Sequence, residues 1–410
     1  MITVIGCDGA PPGPRAQAAL AAADAVAGAP RHLDAVPLPS RAERIEIKRL
    51  DDALDAITGP RPGDASVVVL ASGDPGFFGI VRALRARGER PRVIPAVSSV
   101  ALAFAQLGLD WDDALVVSAH GRDPRQALAA ALAHPKAAIL TAPGTAAALA
   151  AGLVAAGRAV YAAELLGTPE ERLTDLAAAP GAPLADPNVL ITIAGDGASG
   201  DGASGDGAAD GDAADAPPRW LAGHQGAPDG WALPEAAFEH RDSMITKAEV
   251  RALVLARLGP GPGRTVWDVG SGSGSVAVEC ARFGAHAIAI EADPAQCDRI
   301  RANAAAHGVF LRVQPGRAPG VLTGLPAADA VFAGGGDGEV LRAAIEAGRP
   351  RRVVVTLASV QRVGETTALL AELGYSCDGV QLQASRLAPL PGGQWRLAAQ
   401  NPVFVLWGYR

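Results

Sequence analysis

Lysine is nearly absent from this chain. Of its 36 basic residues only three, Lys48, Lys136 and Lys247, are lysines. Beside heavy use of Ala, Gly and Pro, this bias reads as genomic base composition rather than function, yet it makes each lysine worth inspecting. Cysteine is scarce: Cys7, Cys280, Cys297 and Cys377 lie far apart with no metal-ligand spacing. They read as buried or free thiols in a reducing compartment, and no metal is expected. Long apolar runs are missing. Those present, such as Ser66 to Ala71, are strand-length, far short of the roughly 20 residues of a membrane span. The N-terminus lacks a basic region followed by an apolar one, because Met1-Ile2-Thr3-Val4-Ile5-Gly6 already reads as a strand entering a turn. The expectation is a cytoplasmic protein without a membrane partner. Net positive charge is lacking as well. A formal charge of −7 argues against a nucleic-acid partner, whose phosphates call for a basic surface.

What is there points to two domains. The 410 residues, 49% hydrophobic and 19% charged, have globular composition and are too many for one typical core. From Gly195 to Pro218 runs a short Gly-Asp-Gly-Ala-Ser repeat without an aromatic residue. Such a segment buries too little apolar surface to offset the entropy of ordering, and reads as a flexible, disordered linker. Its aspartates lack the closing glutamate of a calcium loop. The expected organisation is therefore a domain at 1–195, a linker at 196–218 and a domain at 219–410. Both halves alternate short Val/Ile/Leu runs with longer Ala/Leu stretches, the α/β pattern. Strands are expected at 2–5, 67–71, 92–94, 115–118, 137–141, 159–163 and 189–193 in the first half. In the second they are expected at 265–269, 287–290, 311–314, 330–333, 353–357 and 403–407.

The sharpest motif is Thr265-Val266-Trp267-Asp268-Val269-Gly270-Ser271-Gly272-Ser273-Gly274-Ser275-Val276. A buried strand enters three alternating glycines and then a helix from about Val276, so a ligand can approach bare backbone. Glu291 follows 21 residues after Gly270, at the end of the next strand, where an acid accepts the ribose hydroxyls of a nucleoside. A dinucleotide site would prefer Gly-x-Gly-x-x-Gly. The Gly-x-Gly-x-Gly spacing favours S-adenosylmethionine, with a purely structural loop as the remaining reading. Asp268, Gly270, Gly272, Gly274 and Glu291 are the expected cofactor contacts. The fourth strand is followed by Gly334-Gly335-Gly336-Asp337-Gly338 rather than the Asn/Asp-Pro-Pro-aromatic turn of base-nitrogen methylation, which weighs further against a nucleic-acid substrate.

The first half lacks that loop. It carries Ala71-Ser72-Gly73-Asp74-Pro75-Gly76-Phe77-Phe78-Gly79, then Ile94-Pro95-Ala96-Val97-Ser98-Ser99-Val100-Ala101, then Val117-Ser118-Ala119-His120-Gly121-Arg122, each after a strand. Gly-Asp-Pro-Gly suits a simple turn as well as a ligand loop.

These three segments in order, with Tyr161 to Leu173, make residues 1–195 resemble the tetrapyrrole methylase family, in the branch that methylates a corrin precursor at carbon 5. The first turn, Gly6-Cys7-Asp8-Gly9-Ala10-Pro11-Pro12-Gly13, departs from the usual Gly-x-Gly-Pro-Gly. Residues 235–410 resemble the decarboxylating precorrin methyltransferases. The resemblance rests on Phe238 to Ala252, the Trp-Asp-Val-Gly loop, the Ala333-Gly334-Gly335-Gly336 turn, and Ser385-Arg386-Leu387 with Asn401-Pro402-Val403-Phe404. Ser243-Met244 stands where that family often has Gly-Gln or Gly-Pro. The resemblance implies a two-lobed α/β fold in the first half and a Rossmann-like class I methyltransferase fold in the second. It implies one S-adenosylmethionine per domain, touching Gly73, Asp74, Ser98 and Ser99 in the first. The implied substrate is precorrin-6B, a small-molecule tetrapyrrole. Two methyl transfers, at carbons 5 and 15, and loss of the ring C acetate as CO₂ would give precorrin-8X. A homo-oligomer is implied as well.

The substrate is a polycarboxylate, so cations that clamp carboxylates are sought: Lys247 and Arg386. Thr246 either caps a helix, with Glu249 completing a capping box, or meets substrate. A lysine in a first helical turn opposes the macrodipole, so Lys247 is not placed there for helix stability. Asp337 either orients substrate or is a loop acid, and His120 is a structural hydrogen-bonder or a base. Two other classes stay open: a protein or RNA methyltransferase, and a cofactor-binding regulator without turnover.

Overall fold

The computed structural model describes residues 1–47, 50–62, 65–120, 123–194, 228, 230–241, 245–335 and 337–410. The expected linker at 196–218, the Gly121-Arg122 end of the third motif, Ser243-Met244, Gly336 and Lys48 lie outside the described residues. Contacts divide the chain into two units. One holds Met1–Gly121, Ala138–Val154 and Val160–Ile191; the other holds Arg122–Ala137, Ala155–Ala159 and Thr192–Arg410.

The chain opens with β1 (Ile2–Cys7), α1 (Pro14–Ala21), β2 (Ala25–Gly28), α2 (Pro30–Asp34), β3 (Glu43–Glu46), α3 (Leu50–Thr58), β4 (Val67–Ser72), α4 (Ile80–Ala86) and β5 (Arg92–Ile94). These five strands form one sheet in the order β3-β2-β4-β1-β5. All its pairings are parallel, with Ile5 opposite Leu70 and Ile94. Both faces of such a sheet are covered, which is why Val67–Leu70 is a continuous buried apolar run rather than an alternating one. Next come α5 (Ser99–Leu107), β6 (Leu115–Ser118), α6 (Pro124–Leu132), β7 (Lys136–Leu140), α7 (Ala146–Ala155), β8 (Arg158–Glu164), β9 (Arg172–Asp175) and β10 (Asn188–Ala194). These strands make a second sheet, β6-β7-β10-β8-β9. Two sheets in succession give the two lobes expected of the first half. Helix α5 starts where the Ser98 hydroxyl accepts the Ala101 N–H, and it buries Val100, Ala103 and Phe104 against Ala138, Ala163 and Ile191 of the second sheet.

The second unit continues with a short 3₁₀ turn at Glu235–Ala237, α8 (Ala248–Leu258), β11 (Thr265–Val269), α9 (Ser275–Arg282), β12 (His286–Glu291), α10 (Pro294–Ala306) and β13 (Arg312–Pro315). It closes with β14 (Ala330–Gly334), α11 (Gly338–Gly348), β15 (Arg352–Leu357), α12 (Gln361–Glu372), β16 (Ser376–Leu382), β17 (Ser385–Pro389), β18 (Trp395–Ala399) and β19 (Val403–Tyr409). Seven strands form one sheet, β13-β12-β11-β14-β15-β19-β16, parallel except for β19. The order runs outward from β11 in one direction and from β14 in the other. Ligands of doubly wound sheets bind at such a reversal, beyond the carboxyl ends of the strands. Trp267 in β11 is fully buried and donates its indole N–H to the Pro326 carbonyl. Strands β17 and β18 stand apart as a hairpin. Its register places Leu387 opposite Leu397 and Pro389 opposite Trp395 on one face, and Arg386 on the other.

Candidate functional site

In the first unit, the carboxyl ends of β1 and β4 open on a cavity of ≈ 1360 Å³ that also reaches the second sheet's loops. Gly73, Asp74, Ser98 and Ser99, the donor contacts that the resemblance implies, all line it. Their polar atoms first build the wall. The Gly73 N–H donates to the Cys7 carbonyl, Asp74 accepts from Gly76 N–H, and Ser98 caps α5. The Gly-Asp-Pro-Gly segment is thus a hydrogen-bonded turn that also lines the cavity.

The departure in the first turn has a structural counterpart. Gly9 and Gly167 pass so closely that a Cβ on either would strike the other loop's backbone, which joins the first sheet's opening turn to the segment after β8. Asp8, where glycine would be usual, accepts from Ala10 N–H at 3.1 Å and Val97 N–H at 3.2 Å and ties this turn to the β5 loop. Burial, with the Asp8 charge adding, pushes the Cys7 thiol up to about 11. His120 stands at the cavity and is held toward its neutral form by burial.

The sequence reading passed over Arg31 and His32. Both line the cavity, and both reach the Ser72 hydroxyl at 2.8 Å. Arginine can only donate to that oxygen, which frees the hydroxyl proton for His32 Nε2. Burial, then the neighbouring Arg31 charge, brings the imidazole down to about 4. They were missed because α2 is five residues long and carries no glycine motif.

In the second unit, Asp268, Gly270, Gly272, Gly274 and Glu291 gather at the reversal of the sheet. Asp268 is buried at the end of β11, where Oδ2 accepts from the Ser271 hydroxyl at 2.7 Å and Ala277 N–H at 3.1 Å. Its Oδ1 is buried without a hydrogen-bond partner among the described residues. Burial raises this carboxyl to about 6, with the Glu291 charge adding to the effect. Glu291 is half-buried and accepts three backbone N–H groups, from Gly272 (2.8 Å), Ala292 (2.7 Å) and Asp293 (2.9 Å). A carboxylate offers about four acceptor sites, so one remains for a ligand hydroxyl. The glycines divide their work. At Gly272 (φ +57) a Cβ would project into open space, whereas at Gly274 (φ +78) it would press on Ile300 of α10.

Of the four residues sought for substrate, three have prior engagements. Thr246 does not cap α8. That position falls to Lys247, whose side chain makes no cap, and the expected capping box with Glu249 is absent. The Ala248 N–H goes instead to Glu235 Oε1 at 3.1 Å, while the Thr246 carbonyl accepts Arg251 at 2.5 Å. Arg386 is not a free clamp. Four hydrogen bonds of 2.6–2.8 Å join it to Glu235 and Glu249. This pairing holds the Glu235 carboxyl down to about 2. Asp337 is the N-cap of α11 and accepts from Glu339 N–H at 3.3 Å. The Lys247 side chain makes no cap and no ion pair among the described residues.

Comparison with known proteins gives the following matches. Residues 11–196 match the family described as Tetrapyrrole (Corrin/Porphyrin) Methylases, and residues 236–408 match the Precorrin methyltransferase domain. A precorrin-6Y C(5,15)-methyltransferase [decarboxylating] from Sinorhizobium sp is 37% identical over 413 residues, covering 95% of this chain and 92% of that protein. A cobalt-precorrin-6B C(15)-methyltransferase (decarboxylating) from Salmonella typhimurium is 38% identical over 172 residues, 40% of this chain and 87% of that protein. A cobalt-precorrin-7 C(5)-methyltransferase from the same organism is 40% identical over 129 residues, 30% of this chain and 62% of that protein.

Proposed function

The chain belongs to the decarboxylating precorrin-6Y C5,15-methyltransferase family, and on that premise we propose that one polypeptide carries both activities in cobalamin biosynthesis. The first half, 1–195, methylates carbon 5. The second, 219–410, methylates carbon 15 and releases the ring C acetate as CO₂. The whole reaction takes precorrin-6B and two S-adenosylmethionines to precorrin-8X, two S-adenosylhomocysteines and CO₂. The observation that carries this reading is the match over 95% of the chain to a protein bearing both activities in its name.

Each half has a place for its own methyl donor. In the second unit, Asp268 Oδ1, without a partner among the described residues, suits the ammonium group of S-adenosylmethionine's amino-acid end, and the free acceptor site of Glu291 suits a ribose hydroxyl. Gly270 and Gly272 leave the space between them clear. In the first, Gly73, Asp74, Ser98 and Ser99 bound a cavity larger than the ≈ 300–1,000 Å³ typical for one ligand, with room for donor and macrocycle together. When bound, S-adenosylmethionine supplies a methyl on a sulfonium for in-line displacement by an enamine-type carbon of the macrocycle.

Little new charge develops on the protein during that displacement, so alignment and exclusion of water are its main tasks. Lys247, which makes no ion pair among the described residues, is our candidate clamp for a peripheral carboxylate. Arg386 acts one step back. By tying Glu235 and Glu249 together it fixes the entry of α8, and with it Thr246 and Lys247. For decarboxylation, the C–C bond to the carboxylate breaks, CO₂ leaves, and the bonding pair passes through the adjacent pyrrole into a protonated imine; a proton then completes the new methyl group, so the substrate is its own electron sink.

We also propose a homo-oligomer. The outer face of the β17–β18 hairpin leaves Leu387, Trp395 and Leu397 more than 60% exposed while Arg386 anchors its inner face. The same patch on a second copy is the occupant we assign to it. Incubating the full chain with precorrin-6B and methyl-labelled S-adenosylmethionine tests the central reading. Two labels per macrocycle and one CO₂ are expected; no label and no gas would refute it.

A further inference from the structure

The cavity of the first unit has a wall whose chemistry none of the cofactor contacts uses. Its acids are already committed to the chain itself. Asp8 accepts from Ala10 and Val97, Asp74 from Gly76, and Asp186 from Gly144 N–H and the Asn188 amide. Arg31 is the one arginine or lysine among the described residues lining this cavity. It is exposed and makes no carboxylate pair among them, in contrast to Arg41, Arg44 and Arg61 of the same lobe, which pair with Asp24, Asp34 and Glu43. Its one hydrogen bond among the described residues is to Ser72, which leaves most of its five donors available there. Beside it the wall turns apolar through Val36, Pro37 and Leu38.

An apolar wall meeting a single guanidinium braced on a hydroxyl fits the edge of a flat, carboxylated macrocycle. The apolar surface takes the ring, and the planar fork takes a carboxylate at its rim. We propose that Arg31, braced by Ser72 and flanked by His32, anchors a peripheral carboxylate of the substrate and positions carbon 5 for methylation. This rests on the reading of the first unit as the carbon-5 methylating half. Arg31 acts on ring placement, so it is a positioning residue and lies outside the methyl donor's contacts.

Titration of the full chain, saturated with S-adenosylhomocysteine, with the tetrapyrrole substrate is the test, run for wild type, Arg31→Gln and Arg31→Lys. A charge-assisted hydrogen bond lost in a cavity weakens binding about 10- to 100-fold. We expect that loss in Arg31→Gln, partial recovery in Arg31→Lys, and S-adenosylhomocysteine affinity within about twofold of wild type. In turnover the loss appears in KM for carbon-5 methylation and, because the ring is held less well in register, in kcat as well. Wild type should also lose affinity for the fully esterified macrocycle, a penalty Arg31→Gln should not show. Unchanged tetrapyrrole affinity in Arg31→Gln, or an equal fall in S-adenosylhomocysteine affinity, overturns the proposal. Tetrapyrrole binding by wild type without carbon-5 methylation would count against the catalytic reading alone, because the Arg31→Gln comparison still decides the anchor.

Discussion

Asp268 sits at the end of β11 with one oxygen held by Ser271 and Ala277 and the other facing no donor among the described residues. In the ligand-free protein, burial favours its protonated form up to about pH 6. The unfolded chain loses that proton near pH 4, so between about pH 4 and 6 the folded state binds more protons than the unfolded one. Stability owed to this group therefore falls as pH rises through that window. A ligand ammonium placed beside Oδ1 favours the ionised form, so the sign reverses for binding. Affinity for S-adenosylhomocysteine at the second unit should fall toward tenfold per pH unit below about 6, and Asp268→Asn should flatten that dependence while weakening binding at pH 7. Calorimetric titrations between pH 5 and 7.5 check both; a wild-type profile as flat as the variant's would contradict the role given to Oδ1. The acid and its glycines were legible in the sequence because they are adjacent along it. The orphaned oxygen was not, since it depends on how β11, α9 and Glu291 enclose one atom.

Elements are fixed by contacts that the sequence keeps far apart. Glu279 of α9 and Arg251 of α8 are both fully buried and joined at 3.0 Å. Glu279 also accepts the backbone N–H groups of Ala232 and Leu233, and Arg251 donates to the Leu233 carbonyl, so this pair straps the segment before α8 onto the sheet. Breaking a buried pair strands the other charge, so Glu279→Ala should cost about 3–5 kcal/mol, read as a lower urea midpoint for the second unit's tryptophan signal. A change under about 1 kcal/mol would show that the strap is incidental. No local pattern announces such a pair, whose members are 28 residues apart. The same blindness produced the capping-box expectation. Thr246 and Glu249 have the right spacing, but Arg386, 137 residues from Glu249, takes its carboxylate, and Glu235 takes the Ala248 N–H. Strands with β-branched runs, such as Val67–Leu70 and Val353–Leu357, were readable from sequence. The Ala-rich β2 and the exposed β16–β18 carry neither a long apolar run nor a strong alternation, and the expected strands omitted them.

The whole molecule is two unlike methyltransferase folds in one chain, a five-stranded pair of sheets and a seven-stranded sheet, each with a separate arrangement of glycines and acids. Assembly should depend on the second unit's hairpin. Leu387→Lys with Leu397→Lys is expected to lower the mass seen by sedimentation equilibrium without loss of folded signal, and an unchanged mass would place the interface elsewhere. The corrin substrate was reached through resemblance of motifs, because no residue of either site encodes a ring by spacing alone. The central claim, that each half runs its own transfer on its own donor, is tested most directly by Gly272→Asp. Aspartate tolerates the left-handed backbone there, so the variant should fold, while its side chain enters the open space beside Glu291. The measurement is the position of ¹³C-methyl label by NMR after incubation with substrates for each step. Carbon-15 methylation and CO₂ release should be lost, with carbon-5 methylation retained. Equal loss at both carbons would contradict that claim.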